Sequence, residues 1–246
     1  NIHFLGFNET VEVDNTITTR IICPMNVAPL SVPPQNYQRS LIINGGSIVK
    51  ITTVAFEGAG IRVEGKLTEL TLEGVSFRRM EGSVSVGGDG YGSAIDVSTG
   101  STAKMMLGTS VSLSSSSFGG AASARSGSTL DLCGVNMDRN VANVEGGAIY
   151  VDDSTVVVNA TSGGTGGGST STSCTTVTML SLNEAPLGGG LSMTGDATLE
   201  GSELLHIQNN HATKIGGGGL SIHGKDSVDY SVLLKGSLLI VDNIAS

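Results

Sequence analysis

Asn140-Val-Ala-Asn-Val-Glu-Gly-Gly-Ala-Ile-Tyr-Val151 joins a polar turn to a glycine pair and then to a strand of alternating apolar residues. Versions of it return along the chain. Gly216-Gly-Gly-Gly-Leu-Ser-Ile222 follows Asn210-His-Ala212, Gly188-Gly-Gly-Leu-Ser-Met193 repeats the glycines and the strand, and Gly92-Ser-Ala-Ile-Asp-Val97 is a weaker copy. In the two fullest copies the asparagine stands six residues before a glycine, Asn140 before Gly146 and Asn210 before Gly216. An alanine follows each asparagine by two (Ala142, Ala212) and an apolar residue precedes it by three (Met137, Ile207). A unit that recurs in this way marks a stacked, quasi-one-dimensional fold.

Each part of the unit has a physical role in a stack. Ile149-Tyr-Val151 and Leu220-Ser-Ile222 place alternate side chains inward, as a strand does. The glycine pair lets the backbone turn where φ is positive and neighbouring coils crowd. Asparagine tolerates the left-handed region and bonds its own backbone in turns. Stacked asparagines also bond one another along a ladder. The turn positions of the repeat are therefore Asn140, Gly146, Gly147, Gly188, Gly189, Asn210, Gly217, Gly218 and Asn243. The copies are unevenly spaced: 54 residues from Gly92 to Gly146, 42 to Gly188 and 29 to Gly217. Coils of unequal length, some without the motif, account for this better than a propeller or a helical repeat.

Composition agrees. Only 14% of the 246 residues are charged and 36 are glycine, with no sustained helical spacing of apolar residues. No run approaches the length of a membrane span. The net charge of -9 argues against nucleic acid as a partner. The N-terminus, Asn1-Ile-His-Phe-Leu-Gly, has no basic start, no long apolar run and no initiator methionine, which points to a processed or partial product. Cys23, Cys133 and Cys174 make no metal-binding spacing; one disulfide plus one thiol and three buried thiols are both open. Asn8 and Asn159 stand in sequons.

Residues 1–40 read as an N-terminal cap or preceding coil, with a loop holding Pro24, Pro29, Pro33 and Pro34; coils are expected over residues 41–246. Leu70-Thr-Leu-Glu-Gly-Val-Ser-Phe77 and Leu130-Asp-Leu-Cys-Gly-Val-Asn-Met137 read as one strand-turn-strand used twice. Residues 83–92 are expected to bulge from the stack, residues 110–128 to form thin coils of small residues or a mobile stretch, and residues 162–173 to protrude. At the C-terminus Ile240, Asn243 and Ala245 repeat the residues that precede each glycine pair. The spacing predicts a fragment whose native chain continues past Ser246 into glycines.

Met137-Asp-Arg-Asn140 with Gly146-Gly-Ala-Ile149 resembles the paired FxxN and GGA[ILV] motifs of the polymorphic outer membrane proteins of chlamydiae and their relatives in algae and other protists. Ile207-Gln-Asn-Asn210 with Gly217-Gly-Gly-Leu220 is a looser match, Ile240-Val-Asp-Asn243 matches the first half, and Phe77-Arg-Arg-Met80 keeps the phenylalanine and loses the asparagine. The resemblance runs from about Leu70 to the end. It implies an all-β, right-handed parallel β-helix (a solenoid of the pectin-lyase-like class) with glycine-rich loops, secreted or displayed on a cell surface and often adhesive.

β-Helices also carry polysaccharide-cleaving enzymes, which need clustered carboxylates. Asp152-Asp153 and His223-Gly224 are the candidates, but 71 residues, about three coils, separate them, where polygalacturonase-like hydrolases, which such pairs resemble, place them about one coil apart. Gly87-Gly-Asp-Gly-Tyr-Gly92 resembles a calcium-binding turn in a single copy, where such sites need tandem repeats. The expectation is a non-catalytic extracellular β-helix, a surface adhesin or structural component, with no catalytic, cofactor or metal residues. Its expected partners are copies of itself, other chains of an extracellular assembly, or cell-surface glycans. The alternative is a polysaccharide lyase or glycoside hydrolase of the β-helix class.

Overall fold

The computed structural model describes residues 2–5, 10–13, 19–22, 41–58, 60–80, 90–158, 176–201, 205–214, 216–224, 233–235 and 238–246; before residue 41 and over 233–235 it describes the backbone alone. Asn8, Asn159, Cys23, Cys174, the four prolines of the early loop, most of residues 83–92 and all of residues 162–173 lie outside the described residues. Described strands are joined by turns, with no helix among them.

The chain is an all-β parallel solenoid. Its strands stack in four parallel sheets, three of eight strands and one of five. Sheet 1 begins with Ile2–Leu5, sheet 2 with Thr10–Val13 and sheet 3 with Thr19–Ile22, and each later coil adds one strand to each sheet in the same order. Sheet 4 starts at Ser115–Phe118 and inserts a fourth strand into every coil from there on. The strands of residues 2–22 pair in parallel with those of residues 41–57, so a coil precedes Leu41.

Period-2 alternation builds the core. In sheet 1 one inward column runs Ile43, Val63, Val97, Ala124, Val151, Met193. Sheet 2 contributes Leu70, Ala103, Leu130, Val156 and Leu199, and sheet 3 contributes Phe56, Phe77, Val111, Met137, Leu180 and Ile207. All are buried. Phe56 and Phe77 stack with centroids 4.9 Å apart. Each valine, leucine, isoleucine, phenylalanine or methionine among them contributes roughly 1.5–3 kcal/mol on burial. The serine-rich stretch over residues 110–128 is part of the stack: Ser110–Ser112, Ser115–Phe118 and Ala122–Arg125 take their places in sheets 3, 4 and 1. Small residues suffice there because larger ones above and below fill the space, as Ile95 and Ile149 do around Ala122. The two strand-turn-strand copies sit in register two rungs apart, Leu70 and Leu130 both pairing with Ala103.

A column of asparagines, buried at Asn140, Asn183 and Asn210 and half-buried at Asn243, marks the corner between sheets 3 and 4. Asn140 N–H and Nδ2 donate to Asn183 Oδ1 at 2.9 and 3.0 Å. Asn183 N–H and Nδ2 donate to Asn210 Oδ1, both at 2.9 Å, and Asn210 repeats both bonds to Asn243 Oδ1. Each Nδ2 also reaches a carbonyl at the end of the preceding coil's sheet 3: Val111 for Asn140, Met137 for Asn183, Leu180 for Asn210 and Ile207 for Asn243. Ser114 extends the column downward, giving its N–H to Asn140 Oδ1 and accepting from Met80 N–H. The steps from Ser114 upward are 26, 43, 27 and 33 residues, so coils of very different length meet at the same point.

The residue before each column member has positive φ between 52° and 56°: Arg79, Leu113, Arg139, Leu182, Asn209 and Asp242. This left-handed residue makes the corner sharp. For a residue such as leucine it costs about 1–2 kcal/mol.

Asn183→Ala should lower unfolding stability by about 1–3 kcal/mol, because it leaves the buried Asn140 N–H without its acceptor; chemical denaturation measures this, and Asn183→Ser, which copies Ser114, should cost less. Leu182→Asn should raise stability by roughly 0.5–1 kcal/mol, since asparagine enters the left-handed region more readily and Leu182 is half-exposed. A lower midpoint for Leu182→Asn would contradict the assignment of strain to that corner.

Candidate functional site: an outer layer on sheet 1

The glycine pairs stand at the corner where sheet 4 gives way to sheet 1. Gly146 has φ +66°, and a Cβ on it would overlap the carbonyl of Ile149. Gly147 lies so close to the next coil that a Cβ would overlap the carbonyl of Gly189. Gly188 and Gly217 meet Leu191 and Leu220 as Gly146 meets Ile149, and Gly189 and Gly218 repeat the contact of Gly147 with the coil above. Gly119-Gly120, before the strand Ala122–Arg125, is a further copy that the sequence reading did not identify; it divides the 54-residue interval from Gly92 to Gly146.

This tight corner brings the residue just before it over the outward face of sheet 1. Tyr91, Phe118, Glu145 and Leu187 occupy that position in successive coils. Beneath them the outward column of sheet 1 runs Arg62, Asp96, Ser123, Tyr150, Ser192 and Ser221, with Arg125, Asp152, Thr194 and His223 beside it. Asp96, Ser123 and Ser192 are fully buried although they point away from the core.

Two linked clusters result. At one end Asp96 is held by Arg62 Nε and Arg125 Nη2, each at 3.2 Å, and by Ser123 Oγ at 2.8 Å. The Arg125 guanidinium lies 3.6 Å over the Tyr91 ring, Tyr91 stacks on Phe118 at 5.0 Å, and Phe118 meets Tyr150 at 5.0 Å. At the other end Glu145 Oε2 accepts from Ser192 Oγ at 3.0 Å and faces His223 Nε2 at 3.2 Å. Burial, then the neighbouring Asp152, Glu145 and Tyr91, push the Tyr150 hydroxyl well above the ordinary phenol range against the opposing charge of Arg125. The phenol therefore holds its proton more tightly than a free tyrosine does.

The 71 residues between Asp152 and His223 correspond to two rungs of one column, through Thr194, and not to about three coils. The difference arises because Asp152 and Thr194, 42 residues apart in sequence, pair in adjacent rungs. Asp153 takes a turn position with φ 48° and accepts the Asp196 N–H at 2.9 Å. Glu145, Tyr150, Arg125 and Asp96 did not stand out in sequence. A signal existed: Tyr91, Phe118, Glu145 and Leu187 each immediately precede a corner glycine. Among the described residues no group of three or more His, Cys, Asp or Glu is placed to hold a metal ion, and no helix is long and apolar enough to cross a membrane.

Compared with known proteins, the chain matches no protein-family model, no curated protein and no solved structure.

The neutral Tyr150 carries a pH signature. Its phenol is bound more tightly to its proton in the folded chain than in the unfolded one, so this contribution to stability is complete below about pH 10. It is lost as pH rises above the unfolded value, where only the unfolded chain releases the proton. Tyr150→Phe should therefore flatten the fall in stability above pH 10 while leaving stability at pH 7 within about 1 kcal/mol; an unchanged alkaline slope in denaturant titrations would contradict the burial of the hydroxyl.

Proposed function

We propose that the chain is a non-catalytic extracellular β-helix, a surface adhesin or a structural component of an extracellular assembly. The observation that carries this reading is the disulfide at Cys133. Disulfides persist in oxidising compartments and are rare in the cytosol. The sequons at Asn8 and Asn159 support the same route. The reading extends the resemblance to the polymorphic outer membrane protein repeat, in which such solenoids act at cell surfaces. The internal bonding of the outer layer agrees with a packing role: Asp96 binds side chains on the coils either side, and Glu145 binds Ser192 of the next rung and His223 of the one beyond.

The second reading is a polysaccharide lyase or glycoside hydrolase. The observation favouring it is the placement of Asp152 and His223 in one column, with Glu145 and the Tyr150 phenol beside them. Acid–base cleavage of a glycosidic bond needs paired carboxyl groups flanking the bond.

The two readings separate in one experiment. The secreted chain is incubated with a panel of neutral and acidic polysaccharides, and retention on immobilised glycans is measured alongside the release of reducing ends and unsaturated products. Retention on glycans or on copies of the chain, without cleavage, is the expected result. Cleavage that is lost in Asp152→Ala or His223→Ala would overturn the adhesive reading and establish the enzyme.

A further inference from the structure

We infer that Asn44 is a site of spontaneous covalent modification, converted through a cyclic imide to a mixture of aspartyl and isoaspartyl residues while the chain is folded. Asn44 is the one asparagine of the 246 residues that is followed by glycine. It ends the strand Leu41–Asn44, at the corner where sheet 1 gives way to sheet 2.

The same turn makes this corner in three coils. Gly45 and Gly46 have φ +69° and +77°. Thr99 with Gly100 repeats these at +61° and +74°, and Ser126 with Gly127 at +57° and +75°. A serine follows each pair, at Ser47, Ser101 and Ser128. Two successive left-handed residues define a tight turn of the I′ kind. Thr99 and Ser126 show that the first of the two positions accepts a side chain; Gly45 has none to shield its nitrogen.

The local bonding leaves the Asn44 amide open to that nitrogen. Gly45 is exposed and its N–H meets no acceptor among the described residues, whereas the Gly46 N–H is held by Thr68 Oγ1 at 3.0 Å. Asn44 Oδ1 has no hydrogen-bond partner, so no bond through that oxygen holds the side chain away from the backbone. The asparagines of the column differ on both counts. Asn140 accepts from Ser114 N–H and donates to Val111 O and Asn183 Oδ1. Asn140, Asn183 and Asn210 are followed by Val141, Glu184 and His211, whose side chains crowd the nitrogen that would attack.

The chemistry needs only water. The Gly45 nitrogen gives its proton to hydroxide and attacks Asn44 Cγ. The new C–N bond closes a five-membered ring, the Cγ–Nδ2 bond breaks, and ammonia leaves after taking a proton from water. Water then opens the imide. Cleavage at Cγ restores the original main chain with an aspartyl side chain; cleavage at the backbone carbonyl leaves the main chain running through Cγ, one methylene longer. The sum is one water consumed and one ammonia released, with no oxidant or reductant. A carboxylate suits the position, since Glu64 and Asp152 end the equivalent sheet 1 strands of other coils. Each conversion adds one negative charge to the net charge of -9.

Peptide mass spectrometry of the full chain tests this, after incubation in mildly acidic and mildly alkaline buffer, with fragmentation that separates aspartyl from isoaspartyl; isoelectric focusing follows the added charge. Position 44 should convert in the folded chain, faster at the alkaline pH and to both products, while Asn140, Asn183 and Asn210 stay intact. Gly45→Ser, which copies Ser126, should keep the thermal midpoint and lose most of the conversion. Conversion in denaturant with an intact Asn44 in the folded chain would overturn the inference. Undiminished conversion in folded Gly45→Ser would overturn it as well.

Discussion

The buried amide at the corner between sheets 3 and 4 is the constraint on which the stack depends. A coil must bend sharply there, and it does so through one left-handed residue in each of six successive coils. The bend turns the next backbone N–H toward the axis of the stack, away from water, where an unpaired amide costs about 1–3 kcal/mol. The side-chain oxygen of the asparagine one coil above accepts from it, and its amide group meanwhile binds that neighbour's carbonyl below. Each asparagine thus satisfies the coil beneath it, and the column is a chain of obligations between neighbours. Such nearest-neighbour coupling makes a solenoid cooperative along its axis.

The glycine corner is the second constraint and it has the opposite chemistry. The sheet 3–4 corner requires a side chain of one kind; the corner into sheet 1 requires none, because the carbonyls of the following strand and of the next coil occupy the space. The consequence lies outside the core. The residue ahead of the corner folds over sheet 1, and in successive coils tyrosine, phenylalanine, glutamate and leucine cover serines and an aspartate that would otherwise face water. A second layer, part aromatic and part ionic, is thereby built along one side of the solenoid.

Much of this was legible in the sequence, for reasons that can be assigned residue by residue. Asn140 and Asn210 shared their flanking residues; the common six-residue count did not hold in the structure, where Gly217, seven residues after Asn210, takes the corner that Gly146 takes six after Asn140. Asn183 was missed because its glycines begin five residues on, although Leu180 and Ala185 keep the flanking pattern. Ser114 was missed because serine performs the acceptor role with a different side chain. The left-handed residues had no signature at Leu113 or Leu182, since leucine is chosen against by local energetics and is held there by the column beside it. The outer layer was invisible for another reason: its members come from different strands and meet only once the number of rungs between them is known. Counting residues put Asp152 and His223 too far apart, because the coils between them differ in length, 42 residues from Asp152 to Thr194 and 29 from Thr194 to His223.

Hydrogen exchange at the backbone amides of Ser114, Asn140, Asn183 and Asn210 tests the role of the asparagine column most directly. These four amides should exchange only through cooperative opening, as slowly as amides in the middle of sheets 1 and 2. The Asn140 amide should lose protection when the side chain of Asn183 is removed, while the Ser114 amide, whose own acceptor is intact, should lose less. Exchange of all four at the rate of exposed turns, with the sheets protected, would contradict the claim that the column holds the coils together.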